Sequence, residues 1–214
     1  MTTIAVIDYG MGNLRSVSKA VEHVANGATI HVTSDPKIIL RSSHVIFPGV
    51  GAIRGCMDEL HRLELADVIR ECAQLKPFLG ICLGMQALLE FNEENEGTEG
   101  LGIIPGEVRY FGEQLLDDKS GERLKIPHMG WNQVYQRTPH ALWEDIPDDS
   151  RFYFVHGYYA KPKDDACIAG ETHYGLDFAA AIVHKNIFAT QFHPEKSQRA
   201  GLTLLANFVR WDGA

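Results

Sequence analysis

The chain has 214 residues, 45% of them hydrophobic, with a formal net charge of −8. That length supplies a single α/β domain over residues 1–214 with a real core, and the acidic balance argues against general nucleic-acid binding and against an anionic membrane surface. Cys56, Cys72, Cys82 and Cys167 form no C-x-x-C pair, and the 10 histidines show no ligand spacing, so neither a disulfide framework nor a metal site is expected.

No signal peptide precedes the first strand and no apolar run approaches membrane-spanning length, so a soluble cytoplasmic protein with free thiols is expected. Ile4 to Asp8 reads as an apolar strand and Tyr9 to Asn13 as a glycine-bearing loop. A helix follows from Leu14 to about Ala25, with Leu14, Val17, Val21 and Val24 along one face and Asn13 as its N-cap. The strand, Gly-x-Gly, helix order is not a dinucleotide fingerprint. Arg15 stands where the third glycine belongs, and no acidic residue ends a second strand at the right distance.

Ala28 to Thr33 and His44 to Phe47 read as the next two strands. The second runs into Pro48-Gly49-Val50-Gly51-Ala52, a loop whose peptide N–H groups can be aimed into a cleft. A pair of such donors is the cheapest stabiliser of the oxyanion formed in acyl transfer. A plain strand-to-helix turn explains the loop equally well. Helical segments follow over Cys56 to Leu63 and Ala66 to Gln74.

Phe78 to Ile81 is a short apolar run typical of a buried parallel strand, and Leu83 to Phe91 reads as a helix. Cys82 sits at the joint, with Gly80 and Gly84 two residues to either side. Gly-x-Cys-x-Gly is the thiol counterpart of the nucleophile elbow. The turn is tight, and a sulfur placed at a helix N-terminus is favoured as thiolate. An ordinary buried cysteine before a helix accounts for Cys82 alone just as well.

From Asn92 to Gly100 the chain is acidic and turn-rich, and Glu93, Glu94, Glu96 and Glu99 read as a solvated loop. Glu107 to Phe111 and Gln133 to Tyr135 are strand-like, with Trp131 in the Pro/Gly-flanked loop between them. Arg151 to Tyr159 reads as a strand ending at His156-Gly157. Cys167 to Thr172, Phe178 to Val183 and Ile187 to Gln191 are further strands, the last two a hairpin around Lys185-Asn186. A helix from about Arg199 to Trp211 closes the chain, with Ser197 near its cap. The fold class expected is α/β, a mixed and largely parallel sheet flanked by helices, with additional antiparallel strands toward the C-terminus.

His193 and Glu195 lie two apart in Gln191-Phe192-His193-Pro194-Glu195. In extended chain such residues point the same way, so one segment can offer a base and its orienting carboxylate to one cleft. His-x-Glu by itself is usually a solvated loop. Beside a cysteine elbow, a catalytic triad of Cys82, His193 and Glu195 is the better account.

Gly80-Ile81-Cys82-Leu83-Gly84-Met85-Gln86 together with His193-Pro194-Glu195 resembles the class I, or triad, glutamine amidotransferases. Four more stretches narrow the likeness to the glutaminase subunits of imidazole glycerol phosphate synthase: Asp8 to Val17, Pro48 to Ala52, Pro127 to Asn132, and His193 to Ser197. The likeness spans residue 4 to about residue 210. It departs from the pattern at Ile53, where an aromatic is usual, and at Gly157, where serine is expected.

The resemblance implies that Cys82 attacks the amide of glutamine, with His193 as acid and base and Glu195 as orienter. It implies an oxyanion hole from Gly49, Val50, Gly51 and Leu83, and substrate contacts from Gln86, His156, Gly157 and Tyr158. It implies a face of Met11, Asn13, Trp131, Tyr153 and Lys196 toward a cyclase subunit of imidazole glycerol phosphate synthase that receives the ammonia in a heterodimer. No cofactor is implied. A glutaminase serving another synthase, of the pyridoxal phosphate or anthranilate type, and a silent binding protein of the same fold are the alternatives.

Overall fold

The computed structural model describes residues 2–214. Strand β1 (Thr3–Ile7) sends Ala5 and Ile7 into one hydrophobic cluster and Ile4 and Val6 into the other. That alternation belongs to a strand covered on both faces. Helix α1 (Leu14–Val24) buries Val17 and Val21 on the Ile4/Val6 side. Asn13 precedes it as expected, but its side chain makes no cap hydrogen bond.

After β2 (Thr29–Thr33) comes α2 (Pro36–Arg41), which the periodicity did not announce. Its start is locally encoded: the Asp35 carboxylate accepts from Lys37 N at 2.8 Å, and Pro36 occupies the first turn. Strand β3 (His44–Gly49) leads into α3 (Ile53–Arg62) and α4 (Leu65–Leu75), which cover the Ala5/Ile7 face. Strand β4 (Phe78–Cys82) is buried along its whole length between β3 and the late strand β14 (Ile187–Thr190).

The helix after the elbow, α5 (Leu83–Ala87), has only 5 residues, and the chain returns to the sheet as β5 (Leu89–Asn92), where a continuous helix to Phe91 was expected. Strands β6 (Thr98–Glu99) and β7 (Ile104–Tyr110) follow. Trp131 lies not in a loop but in β8 (His128–Gln133), which is followed by β9 (Tyr135–Gln136). The run from Arg151 splits into β10 (Arg151–His156) and β11 (Tyr158–Pro162). Strands β12 (Ile168–His173), β13 (Asp177–His184) and β14 precede the last helix, α6 (Gln198–Arg210). The hairpin at Lys185-Asn186 is present, with Lys185 at φ 53°.

Among the described residues the main sheet has 12 strands, in the order β2-β1-β3-β4-β14-β13-β11-β7-β5-β6, with β12 and β9 branching from β13. Pairing from β2 through β14 is parallel, and pairing from β14 to β7 is antiparallel. The sheet is thus mixed, with helices over it, as expected. Strands β8 and β10 form a separate antiparallel pair. The C-terminal ends of β3, β4 and β14 lie side by side, and Gly49 pairs with Cys82 across the first two. That shared edge brings three distant sequence stretches to one place.

Candidate active site

Cys82 closes β4 and opens α5 with φ 53° and ψ −108°, a backbone state that a side-chain-bearing residue adopts only under strain. The neighbouring glycines contribute unequally to that turn. A Cβ on Gly84 would lie 1.8 Å from the Phe47 carbonyl oxygen, so the elbow packs directly onto the β3 backbone. A Cβ on Gly80 would meet atoms at 3.1 to 3.2 Å, tight but not impossible. Gly49 is equally closed, with Tyr9 Oη at 2.3 Å and Leu83 Cβ at 2.9 Å from where a methyl would stand.

His193 follows β14, and the turn after it, Pro194–Lys196, is a 3₁₀ turn rather than the extended chain expected. The pairing survives the change of backbone: His193 Nδ1 lies 2.8 Å from Glu195 Oε1, both side chains being almost fully buried. Ser197, anticipated as a helix cap, makes no cap bond. Its hydroxyl donates to His193 O at 2.6 Å and accepts from Tyr153 N at 2.9 Å, which ties the histidine's backbone to β10.

His193 Nε2 is buried and makes no hydrogen bond of good geometry. Burial disfavours its charge, but the nearby Cys82 sulfur and then the Glu195 carboxylate outweigh burial and push the imidazole up to about 10. The arrangement therefore favours an imidazolium at His193.

Cys82 and His193 share a cavity of about 300 Å³ with Val50, Gly51, Leu83, Gln86, Pro127 and Val155 through Tyr158. The volume suits a single amino acid, at the lower end of ligand cavities. Of the residues expected at an oxyanion hole, Val50, Gly51 and Leu83 line the cavity, while Gly49 does not and packs against Tyr9 and Leu83. All four residues expected at the substrate, Gln86, His156, Gly157 and Tyr158, line it.

Two site residues were missed from sequence. Glu94, taken for part of a solvated loop, lines the cavity and accepts from Ile53 N at 2.9 Å through one carboxylate oxygen. Gln191, fully buried, donates from Nε2 to Cys82 Sγ at 3.7 Å. Nothing in the acidic composition distinguished Glu94 from its neighbours. Gln191 could have been suspected, as a polar residue two before His193 at the end of an apolar strand.

Behind the cavity runs a directed chain of imidazoles. The Tyr158 carbonyl can only accept, so His156 Nδ1 donates to it at 2.7 Å. His156 Nε2 then accepts from His128 Nδ1 at 3.1 Å, and His128 Nε2 from Asn132 Nδ2 at 3.4 Å. Both rings are held neutral by burial, with His128 lowered to about 4 and His156 to about 3.

On the outer side, Trp131 is 40% exposed and stands opposite Tyr153 across β8 and β10, with ring centroids 6.1 Å apart. Lys196 Nζ lies 5.7 Å from the Tyr153 ring centroid. Met129, 63% exposed on the same strand as Trp131, joins this surface and was not anticipated. Met11 is half-buried beneath Gly51, and Asn13 donates to Glu195 Oε1 at 3.3 Å. Among the described residues no cluster of metal-ligating side chains is present, and no helix is long and apolar enough to cross a membrane.

A strained cysteine at a strand-to-helix elbow, beside a histidine held by a carboxylate, has the geometry of a thiol-dependent amide-cleaving site on an α/β sheet. Comparisons with known proteins agree. Residues 5–211 match the profile of the class-I glutamine amidotransferases. The imidazole glycerol phosphate synthase subunit HisH of Pseudomonas putida is 57% identical over 213 residues, covering 100% of this chain and 99% of that one. The protein of the same description from Nitrosospira multiformis is 54% identical, covering 99% of each chain.

The fold matches a chain of the PurLQS structure from Thermotoga maritima with a TM-score of 0.67 at 18% identity, covering 98% of each chain. The chain belongs to the class-I glutamine amidotransferase family, in its HisH branch.

Proposed function

We propose that this chain is the glutaminase subunit of an imidazole glycerol phosphate synthase in histidine biosynthesis. It hydrolyses glutamine to glutamate and ammonia and hands the ammonia to a cyclase subunit. The observation that carries this is the placing of Cys82 and the His193–Glu195 pair in one amino-acid-sized cavity. Full-length identity of 57% to a HisH subunit favours this synthase over the pyridoxal phosphate and anthranilate alternatives.

The Cys82 thiolate attacks the side-chain amide carbon of glutamine, and the carbonyl oxygen gains the negative charge. Backbone N–H groups of Leu83, at the start of α5, and of the Val50–Gly51 turn stabilise that oxygen. The tetrahedral adduct collapses by breaking C–N, and His193 gives its Nε2 proton to the departing ammonia.

The proton becomes available at the right moment. A charge on the Cys82 sulfur, together with the Glu195 carboxylate, supports the imidazolium against burial. Acylation removes that charge, so the imidazolium becomes a stronger acid as the sulfur bonds to carbon. The neutral ring left behind then takes a proton from water, hydroxide adds to the thioester, and the thiolate leaves with glutamate formed. Glu195 keeps Nδ1 as the donor and Nε2 toward the reaction throughout.

At the other end of the cavity, the free carboxylate oxygen of Glu94 suits the substrate's α-ammonium. The backbone from Val155 to Tyr158 serves its α-carboxylate end. The face of Trp131, Tyr153, Met129 and Lys196 serves the cyclase.

The test mixes this protein with a cyclase subunit, supplies the ribulose-bearing nucleotide, and measures glutamine-dependent imidazole glycerol phosphate. Product is expected with the pair and none from either protein by itself. Absence of product from the pair, with both proteins folded, would falsify the proposal.

A further inference from the structure

Three amide side chains lie between the nucleophile and the Glu94 end of the cavity, and backbone groups fix which way each one points. Tyr158 O accepts only, so the group of Gln86 that lies 3.1 Å from it is its NH₂. The same NH₂ donates to Gln191 Oε1 at 3.0 Å. Gln191 therefore has its NH₂ on the other side, where Nε2 meets Cys82 Sγ at 3.7 Å. From the far end, Glu94 N donates to Asn92 Oδ1 at 2.9 Å, which turns Asn92 Nδ2 toward Gln86 Oε1 at 3.4 Å. All three amides are buried.

We propose that Gln191 is a positioning residue for the nucleophile. It presents a fixed N–H to the Cys82 sulfur, with its orientation set through Gln86 by the Tyr158 carbonyl and the Asn92 amide. This rests on the glutaminase function proposed above but concerns the sulfur itself. Gln86 accordingly spends both of its N–H groups inside the protein. Only an acceptor lone pair on Oε1 remains to it for substrate.

A donor beside a thiolate stabilises the charged form and holds the sulfur on the cavity side of the elbow. Flipping the Gln191 amide would set its oxygen against the sulfur and its NH₂ against the Gln86 NH₂, losing both contacts at once. The chain also joins the nucleophile to Glu94, since the Glu94 backbone N–H anchors Asn92.

The experiment measures alkylation of Cys82 by chloroacetamide against pH in the full chain, with the labelled cysteine identified by mass mapping. The other titratable groups around the sulfur stay the same in every variant. They are His193 after β14 and Tyr9 after β1, with Glu94, His156 and Tyr158 lining the same cavity.

Gln191→Met is expected to move the alkylation midpoint upward by about one pH unit and, in the complex, to lower kcat about tenfold with little change in KM. Gln191→Glu, which sets a carboxylate against the sulfur, moves the midpoint further. Gln86→Met acts one bond away and moves it in the same direction by less, which keeps the test available if the Gln191 variants fold poorly.

A residue that merely fills space would lower Tm and leave the midpoint unchanged. An unmoved midpoint in Gln191→Met, or in Gln86→Met where that is the folded variant, overturns the proposal. Alkylation involves no glutamine, so failure of the glutaminase function would show separately, as absent turnover in the unsubstituted complex.

Discussion

Asn13 and Glu195 stand near opposite ends of the chain, yet Asn13 Nδ2 donates to Glu195 Oε1 at 3.3 Å. The same oxygen takes the 2.8 Å contact from His193 Nδ1. The loop before α1 therefore steadies the carboxylate that steadies the histidine, a closer tie to the proposed triad than to the partner face to which the family resemblance assigns Asn13. Asn13→Ala is expected to lower kcat roughly three- to tenfold, as for one hydrogen bond to a charged group, while glutamine KM changes little. Asn13→Asp, which sets two carboxylates together, should be worse than alanine. Steady-state kinetics of both variants in the complex checks the order.

Cys82, the proposed nucleophile, is expected to give the largest effect. Cys82→Ser should retain the fold and lose glutamine hydrolysis by orders of magnitude, since an alcohol at neutral pH is a far weaker nucleophile than a thiolate. A glutamine-analogue electrophile should label Cys82 ahead of Cys56 and Cys72, both buried in the hydrophobic core with thiols raised by burial. Label found chiefly on another cysteine would remove Cys82 from its role.

The two elbow glycines should separate in stability measurements. A methyl on Gly84 would strike the Phe47 carbonyl oxygen at 1.8 Å, and backbone cannot yield as a side chain does. Gly84→Ala is therefore expected to destabilise by about 3 kcal/mol or more. Gly80→Ala, with its nearest atoms at 3.1 Å, should lose much less. Denaturant titration of the pair reads the difference. Equal losses would show that the elbow does not rest on β3 as described.

Much of the geometry of this candidate site was legible in the sequence, and the misses share a cause. Gly-x-Cys-x-Gly and His-x-Glu are local patterns, so the elbow and the base pair could be read without knowing the fold. The alternating apolar run at Ile4 to Ile7 and the fully apolar β4 likewise announced buried strands.

Glu94 and Gln191 acquire their roles only through partners far along the chain, Ile53 for the first and Cys82 for the second. No window of neighbouring residues contains that information. The helix expected from Leu83 to Phe91 failed for a related reason. Leu88 and Leu89 suit a helical face, but pairing of Leu89, Phe91 and Asn92 with β7 wins them for the sheet. Trp131 in β8 is the same kind of override, since its Pro/Gly flanks suggest a loop while pairing with β10 makes it a strand.

Trp131 also supplies a test of the outer face. It is 40% exposed, opposite Tyr153, with Lys196 over the Tyr153 ring. An indole buried on association contributes about 2 kcal/mol or more, so Trp131→Ala should weaken binding of the cyclase subunit roughly 30-fold. Its effect on the isolated chain should be small, because the ring is already substantially in water. Titration calorimetry beside a thermal melt distinguishes the two. Unfolding of the isolated chain with affinity intact would place Trp131 in the core instead.

The buried histidines make stability depend on pH in opposite directions. Burial lowers His128 to about 4 and His156 to about 3, below the value near 6.5 of an unfolded chain. Below pH 6.5 the unfolded chain gains protons that the folded protein refuses. Their contribution is therefore complete above pH 6.5 and lost as pH falls toward 4 and 3, together on the order of 5 kcal/mol by pH 4.

His193 behaves inversely. Raised to about 10, it favours the fold fully below pH 6.5 and loses that support as pH climbs through 10. The two trends leave a stability maximum near neutrality. His128 stacks between Phe154 and Tyr174, with ring centroids at 4.9 and 4.1 Å, so His128→Phe can keep the stacking while removing one titrating group. The variant should be less stable at pH 7 by about 1–3 kcal/mol, because His156 Nε2 loses its donor. Between pH 6.5 and 4 its stability should fall less steeply than that of the unsubstituted protein, by the equivalent of one proton. Urea titrations at pH 7, 5.5 and 4.5 give the slopes, and identical slopes would mean that His128 is not held neutral in the fold.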